Sequence, residues 1–437
     1  MKVVLLCGGT GKRMFPIGED KFLLDFLGKP LLQHQIEMAQ EAEIDRFVII
    51  GNLANIGQIK EVTQRVSGAE FEFALQQKPL GIADALKSAT PFLNEQIVVV
   101  NPNDIFSISG YKQIIREAGQ ATSLMLGYRV KDYFPGGYLE VDTGGNLKHI
   151  VEKPKPGEEP SDLVNILVHL HREPKRLLEY IDTVETARDD VYESALDNMV
   201  RDGYKIRVIP HHDSWAPIKY PWHILKAMKY FLDRAESHIS CTAHISEKAT
   251  IEGKVILCDN VRVLENAVIR GPAYAGPNTV IGNNALVRDY SHIGANSVIG
   301  YSTEIKHSYI GNNCWFHANY IGDSIIADDC SFGSGAVTAN FRLDEKGIFI
   351  RIGSTKIDTG SDKLGAIVGQ GCRIGINASL MPGVRIGANS FVGPGVCLNR
   401  DLQANQMIIV KQQYQTLESI AKLTQRKRQE QLDKLMK

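Results

Sequence analysis

The first residues of this chain whose types and spacing suit chemistry form a glycine loop. Gly8, Gly9 and Gly11 are followed by Arg13 and, eight residues later, by Lys21. Glycines let backbone N–H groups approach an anion, and Arg13 and Lys21 can offset charge on the α-phosphate and leaving pyrophosphate of a triphosphate. Two commoner phosphate loops are excluded by residue identity. The dinucleotide fingerprint needs a third glycine where Met14 stands. A Walker A loop does not carry Leu6 at its start or Arg13 directly after its lysine.

A loop of this kind has to be held by a strand and a sheet. Residues 3–6, 47–50, 71–75, 97–100 and 123–128 read as strands, and 30–41, 56–66, 82–88 and 111–118 read as helices between them. The alternation predicts an α/β domain with a mostly parallel, doubly wound sheet. Ligands of such sheets sit at the carboxyl ends of the strands. A helical stretch at 220–235 closes this domain, which is taken as residues 1–235.

After it the period changes. Every sixth residue from Ile245 to Ile305 is a branched aliphatic except Ala275, and the series resumes at Val368, Ile374, Leu380, Ile386, Val392 and Leu398. Neither a helix nor a simple strand has a period of six. A triangular coil of short strands does, so residues 236–405 predict a left-handed parallel β-helix of hexapeptide repeats. Arg288 and Lys306 lie 18 residues apart, one full coil, so they stack on one face as a clamp for a sugar phosphate. Residues 308–350 break the period with five-residue steps and an insertion. Such breaks are where sites tend to be built. Residues 406–437 read as a tail with an exposed amphipathic helix, solvated or capping the coil.

Composition narrows the classes. The chain has 437 residues, 43% hydrophobic and 23% charged, with a net charge of −1. This is a soluble multi-domain composition with no electrostatic reason for nucleic acid or a membrane as partner. Seven scattered cysteines without a CxxC pair read as reduced thiols of a cytoplasmic protein. The apolar run after Met1 is too short for a signal peptide, and no run is long enough to span a bilayer.

The first half resembles the sugar-1-phosphate nucleotidylyltransferases. Five motifs carry the likeness in order: Gly9-x-Gly11-x-Arg13 with Lys21; Gly28-Lys29-Pro30-Leu31; Gln76 with Pro79-Leu80-Gly81; Asp104; and Gly137 with Glu152-Lys153-Pro154, to which Asn165 is a looser addition. The resemblance implies that Gln76 and Gly81 read the nucleobase. It implies that Gly137, Glu152 and Asn165 bind the sugar and that Asp104 holds Mg2+. The chemistry it implies is in-line attack of a sugar-1-phosphate oxygen on the nucleotide α-phosphorus, with Arg13 and Lys21 as catalytic cations. There are departures. Asp20 replaces a proline and Leu167 a glycine, and the interval from Arg13 to Lys21 is short. The stretch Trp215-Ala216-Pro217-Ile218-Lys219-Tyr220-Pro221-Trp222 resembles the family's W-x-D-I-G-x-P-W, with Pro217 where the second metal aspartate belongs. Asp213 is either a substitute ligand or a turn residue.

The second half resembles the archaeal form of the bifunctional glucosamine-1-phosphate acetyltransferase/N-acetylglucosamine-1-phosphate uridylyltransferase. His317-x-x-Tyr320 is followed by Asn340 and, six residues on, by Lys346, with Lys363-Leu364-Gly365-Ala366 downstream. Acetyl transfer needs a deprotonated amine, and histidine is suited to take its proton. His317 is therefore the expected base and Asn340 holds the amine or orients the imidazole. Arg288, Lys306 and Tyr320 bind the sugar phosphate, and Lys346 reaches the site or the CoA. The resemblance implies a homotrimer that uses acetyl-CoA, a sugar-1-phosphate and a nucleoside triphosphate to make UDP-N-acetylglucosamine. Two alternatives stand beside it: an acetyltransferase whose first domain only binds a nucleotide or sugar phosphate, and a non-catalytic regulatory or assembly protein of the same layout.

Overall fold

The computed structural model describes the chain except Thr10, Lys12, Ala118, Gln120, residues 187–189 and 420–424, and Lys437, together with the side chains of Gln425 and Arg426. The first half is built on a nine-stranded sheet. Lys2–Leu6 is central and runs parallel to Ile97–Val100 on one side and to Arg46–Gly51 on the other, with Glu70–Leu75 beyond. These strands match the expected parallel unit, and the helices joining them include Leu31–Glu41, Ile56–Thr63 and Ile82–Ser88. The helix expected at 111–118 is found as Ser109–Arg116, and Ala118 lies outside the described residues.

The other side of the sheet is not parallel. Leu163–His171 runs antiparallel to Ile97–Val100 and to Ser123–Arg129. The sheet is therefore mixed, for a local reason. The segment before Leu163 is a hairpin, Gly137–Val141 against Leu147–Glu152, and a hairpin reverses chain direction where a helical crossover would keep it. Helices cover both faces. Leu32, Ile36, Ile59 and Tyr111 pack on one, and Leu86, Leu177, Leu196 and Met199 on the other.

The second half is three long parallel sheets closing a triangular coil. The hexad residues point inward: Ile281, Ile293, Ile299 and Ile305 are all fully buried. Asn260, Asn278 and Asn296 turn the same corner of successive coils with φ between +56° and +59°, a conformation asparagine tolerates, and their side-chain amides form a ladder at 3.1 and 3.0 Å. The period break does not interrupt the coil. Ile281 pairs with Ile299 18 residues on, Ile299 with Phe316 after 17, and Ile305 with Ile321 after 16. The corners shorten and the sheets continue. One real excursion follows, between Thr338 and Ile367, and carries the hairpin Phe349–Ile352/Thr355–Asp358.

The halves meet through an apolar cluster that joins Met14, Ile17, Phe26 and Trp222 to Tyr274, Tyr309, Ile348 and Ile350. Tyr274, His292 and Tyr309, on three consecutive coils, stack with ring centres 4.7 and 4.8 Å apart. His292 Nε2 accepts the Leu27 N–H at 3.2 Å, and the Tyr309 hydroxyl donates to the Asp25 carbonyl at 2.9 Å. Among the described residues no helix is long and apolar enough to cross a membrane. In the tail, Gln425–Leu435 is helical.

Candidate active sites

The glycine loop leaves the carboxyl end of Lys2–Leu6 at the rim of a cavity of about 440 Å3. Gly9, Gly11, Arg13, Lys21, Gln76, Gly81 and Leu167 line it. A Cβ on Gly9 or Gly11 would meet nothing within 4 Å, so both border open space. A Cβ on Gly8 would fall 2.0 Å from Oε1 of Gln76. Gln76 is buried, and its amide donates to the Gly81 carbonyl at 3.1 Å and to Asp84 at 2.8 Å. Gln76 and Gly81 thus belong to one tied segment, and the amide nitrogen is engaged inside the protein.

Two residues outside every motif fasten the loop from behind. Asn52 donates to the Gly8 carbonyl at 3.2 Å. Asn55 donates to the Cys7 carbonyl at 2.9 Å and to Asp20 at 2.7 Å. This explains Asp20: it is an acceptor that fixes the entry to Lys21. Burial brings the Lys21 ammonium down to about 8, and Arg13 adds to this against the pull of Asp104 and Asp20.

Asp104 opens the short strand Asp104–Phe106 just past Ile97–Val100 and is 8% exposed. Burial raises its carboxyl to about 6, opposed by the charges of Lys219 and Lys21. Across a two-stranded ribbon it pairs with Pro217 of Trp215–Pro217. The missing carboxylate would therefore stand directly beside Asp104, and the proline ring offers no ligand. Asp213 does not replace it. Its carboxylate accepts from Ser107 at 3.0 Å and from Ser109, on the surface. At the glycine of the W-x-D-I-G pattern stands Lys219, whose ammonium donates to the Pro135 carbonyl at 2.5 Å over the face of Phe134. Burial draws this ammonium down to about 7, with Asp104 acting the other way. Among the described residues no group of three or more His, Cys, Asp or Glu is arranged to hold a metal ion. One carboxylate and an adjacent ammonium do not fit the two-carboxylate Mg2+ site that the resemblance implied.

The expected sugar residues do converge. A Cβ on Gly137 would lie 3.0 Å from Glu152 Oε2 and 3.6 Å from Asn165 Cβ. Glu152 is also paired with Lys153 at 2.5 Å. Behind Asn165 runs a buried polar chain invisible in the motifs. His169 Nε2 donates to Asn165 Oδ1 at 2.7 Å, and the Tyr192 hydroxyl donates to His169 Nδ1 at 2.7 Å. That hydroxyl accepts from His171 Nε2 at 2.8 Å, and Ser123 donates to His171 Nδ1 at 2.8 Å. Burial keeps both imidazoles neutral: His169 falls well below its usual value and His171 falls to about 3.

On the coil, Arg288 and Lys306 fall in register on the third sheet, as their spacing predicts. Each already has a carboxylate: Arg288 with Glu304 at 3.0 Å and Lys306 with Asp323 at 2.6 Å. Asp323, absent from the sequence reading, is the hub. Its carboxylate also accepts from His307 at 2.9 Å and from the Asn340 amide, which reaches the Tyr320 hydroxyl at 3.3 Å. Lys306, Tyr320 and Asn340 are thus brought together. His317 is not; it is exposed at the corner after Trp315–Phe316, and its backbone N–H donates to Asn319. Lys346 is exposed on the excursion, and no described contact joins it to the Asp323 cluster.

A glycine-loop α/β domain fused to a hexapeptide-repeat coil defines a two-part transferase. Residues 2–216 match the family model described as Nucleotidyl transferase, and residues 365–400 match Bacterial transferase hexapeptide (six repeats). A protein of Methanococcus maripaludis strain C7, "Bifunctional protein GlmU", is 35% identical over 415 residues, covering 94% of this chain and 98% of its own. A "Bifunctional sugar-1-phosphate nucleotidylyltransferase/acetyltransferase" of Sulfurisphaera tokodaii is 30% identical over 407 residues, covering 92% and 98%. The "Bifunctional protein GlmU" of Methanocaldococcus jannaschii is 29% identical, covering 93% and 97%. The chain belongs to this family of bifunctional sugar-1-phosphate nucleotidylyltransferase/acetyltransferases, and its coil is the family's left-handed β-helix.

Proposed function

We propose that this chain acetylates glucosamine-1-phosphate with acetyl-CoA on its β-helix and then transfers a uridylyl group onto the product, giving UDP-N-acetylglucosamine and pyrophosphate. The observation that carries the reading is that one chain holds both a glycine-loop cavity with Arg13 and Lys21 and a cationic cluster on the coil ordered by Asp323. In the first step the sugar amine attacks the thioester carbonyl, His317 takes the amine proton and the CoA thiolate leaves. Arg288 and Lys306 hold the sugar phosphate, Tyr320 and Asn340 position the amine, and Lys346 approaches the CoA. In the second step a phosphate oxygen of the N-acetyl sugar bonds to the α-phosphorus as the bond to pyrophosphate breaks. Arg13 and Lys21 stabilise that charge, Gln76 and Gly81 frame the base, and Gly137, Glu152 and Asn165 hold the sugar.

The exposed position of His317 favours a site completed by a neighbouring copy, in a homotrimer with acetyl-CoA between coils. Support for the assembly comes from the outward column of the second sheet, where Trp315, Ser331, Arg373, Phe391 and Met407 stand in register and the three large apolar members are 45–67% exposed. The test has two readouts on the full chain. Pyrophosphate release from UTP and N-acetylglucosamine-1-phosphate is expected, and its absence with every nucleotide and sugar phosphate rejects the second step. Free CoA from acetyl-CoA and glucosamine-1-phosphate is expected to vanish in His317→Ala; unchanged turnover removes the base.

A further inference from the structure

The ribbon that carries Asp104 couples a loss to a gain. Pro217 removes a carboxylate directly opposite Asp104, and two residues on the same strand end brings in Lys219. The backbone fixes this placement, since the Ile218 N–H donates to the Asn103 carbonyl at 2.9 Å. The Pro217 carbonyl lies 2.8 Å from His223 Nδ1, which also lies 3.2 Å from the Lys219 backbone nitrogen, so His223 ties this turn together.

Lys219 is built in rather than stray. Its ammonium rests 3.5 Å from the centre of the Phe134 ring and donates once, to Pro135, which leaves two of its three N–H donors. A Cβ on Gly136 would fall 2.6 Å from the Phe134 ring and 3.4 Å from Nζ, so a glycine there lets the ring and the ammonium pack together. The charged groups that act on it are Asp104, Arg13, Glu152 and Lys153. Its Nζ sits beside Pro135 and Gly136, next to the sugar-side Gly137, and the ring of the following residue, Tyr220, lies 5.9 Å from the Arg13 guanidinium of the triphosphate loop, so Lys219 stands beside both expected reactant sites.

We infer that Lys219 does, in the nucleotidyl transfer proposed above, the charge-neutralising work for which the family pattern provides a second carboxylate and its metal. Asp104 is then the counter-ion of Lys219 and Lys21 rather than half of a metal cage. As the sugar phosphate oxygen bonds to the α-phosphorus and the electron pair of the breaking bond leaves with pyrophosphate, the N–H donors of Lys219 hold the non-bridging oxygens of the transferred phosphoryl group. No proton has to move and no protein-bound divalent cation takes part. The inference rests on the uridylyl-transfer reading, and the experiment keeps the two apart.

The full chain is assayed for pyrophosphate release with millimolar Mg2+ and again in excess chelator. Wild type is expected to keep most of its rate in chelator. Lys219→Met should lose about 100-fold there, the effect of removing one transition-state charge donor. Free-CoA release by the same samples reports an intact coil. Pro217→Asp combined with Lys219→Gly should transfer only with Mg2+ and should bind Mn2+ in the electron paramagnetic resonance spectrum, where wild type without nucleotide does not. A wild type that is silent in chelator, active in Mg2+ and binds Mn2+ overturns the inference and leaves uridylyl transfer standing. If no condition releases pyrophosphate, the transfer reading fails, and calorimetry of UTP binding in chelator decides the role of Lys219. A Kd about tenfold weaker in Lys219→Met, one charge-assisted hydrogen bond, supports it, and an unchanged Kd overturns it.

Discussion

Asp323 and Lys306, one shortened coil apart, meet on the third face of the spiral with Oδ2 and Nζ 2.6 Å apart and the carboxylate almost wholly buried. Without the carboxylate, a partly buried ammonium and the Asn340 amide would lose their partner together. Asp323→Ala is therefore expected to lower the unfolding free energy by about 1–3 kcal/mol, the cost of leaving such donors without their acceptor. Burial would raise the Asp323 carboxyl, but hydrogen bonds from His307, Lys306 and Asn340 outweigh it and hold the group below its usual value. A depressed folded value means the stabilisation is present above about pH 4 and is lost as pH falls through the folded value. Urea unfolding of wild type and Asp323→Asn at neutral and acid pH checks this: the gap between them should shrink in acid. A gap of constant size would show that the ion pair contributes nothing.

The relay behind Asn165 makes a second prediction. Tyr192→Phe leaves two buried histidines each short of a partner. That should cost about 1–3 kcal/mol and raise KM for the sugar phosphate while KM for the triphosphate stays put. The imidazoles add a pH signature. His171 is lowered to about 3, so the unfolded chain takes up a proton first. Stability contributed by the neutral ring is full above about pH 6.5 and declines as the solution is acidified toward the folded value. His171→Gln should flatten that decline in a series of thermal melts; an unaltered slope would assign it elsewhere.

Gly8 and Gly9 are adjacent but should fail differently. In Gly8→Ala the new Cβ must push Gln76 off its bonds to Gly81 and Asp84. The expected result is a loss of about 1–3 kcal/mol with weaker UTP binding. Gly9→Ala meets only open space, so its melting temperature should match wild type. Its methyl nevertheless enters the space assigned to phosphate, and UTP binding by calorimetry should weaken. Full affinity in Gly9→Ala would place the triphosphate elsewhere.

Legibility followed the length scale of each interaction. The coil was readable because its contacts repeat at a fixed interval, from Ile281 to Ile299 for example. It became obscure where the corners tighten, although Phe316, Ile321, Ile326 and Phe332 still fill the core. The parallel strands were readable from their apolar runs. The antiparallel return of Leu163–His171 was not, because direction is set by a hairpin whose strands carry no such run. In the sites, residues inside motifs were found and those acting through space were missed. Asn52, Asn55, His169 and Tyr192 belong to no local pattern. Asp323 did leave a trace: it follows Lys306 by 17 residues, one more than the 16-residue step of that face, which puts it at the corner just past the register partner Gly322 and within reach of the ammonium.

A spiral of identical steps has no natural origin, and a whole coil can be gained or lost while its neighbours still fit. The stack of Tyr274, His292 and Tyr309 gives this spiral one. Each ring sits on a different coil, and two of them grip Leu27 and Asp25 of the other half. A coil removed between His292 and Tyr309 would slide one grip past its partner by about 4.8 Å, the spacing of neighbouring strands. Those coils work as a keyed shaft, and descent with changing rod length is open only on either side of the key.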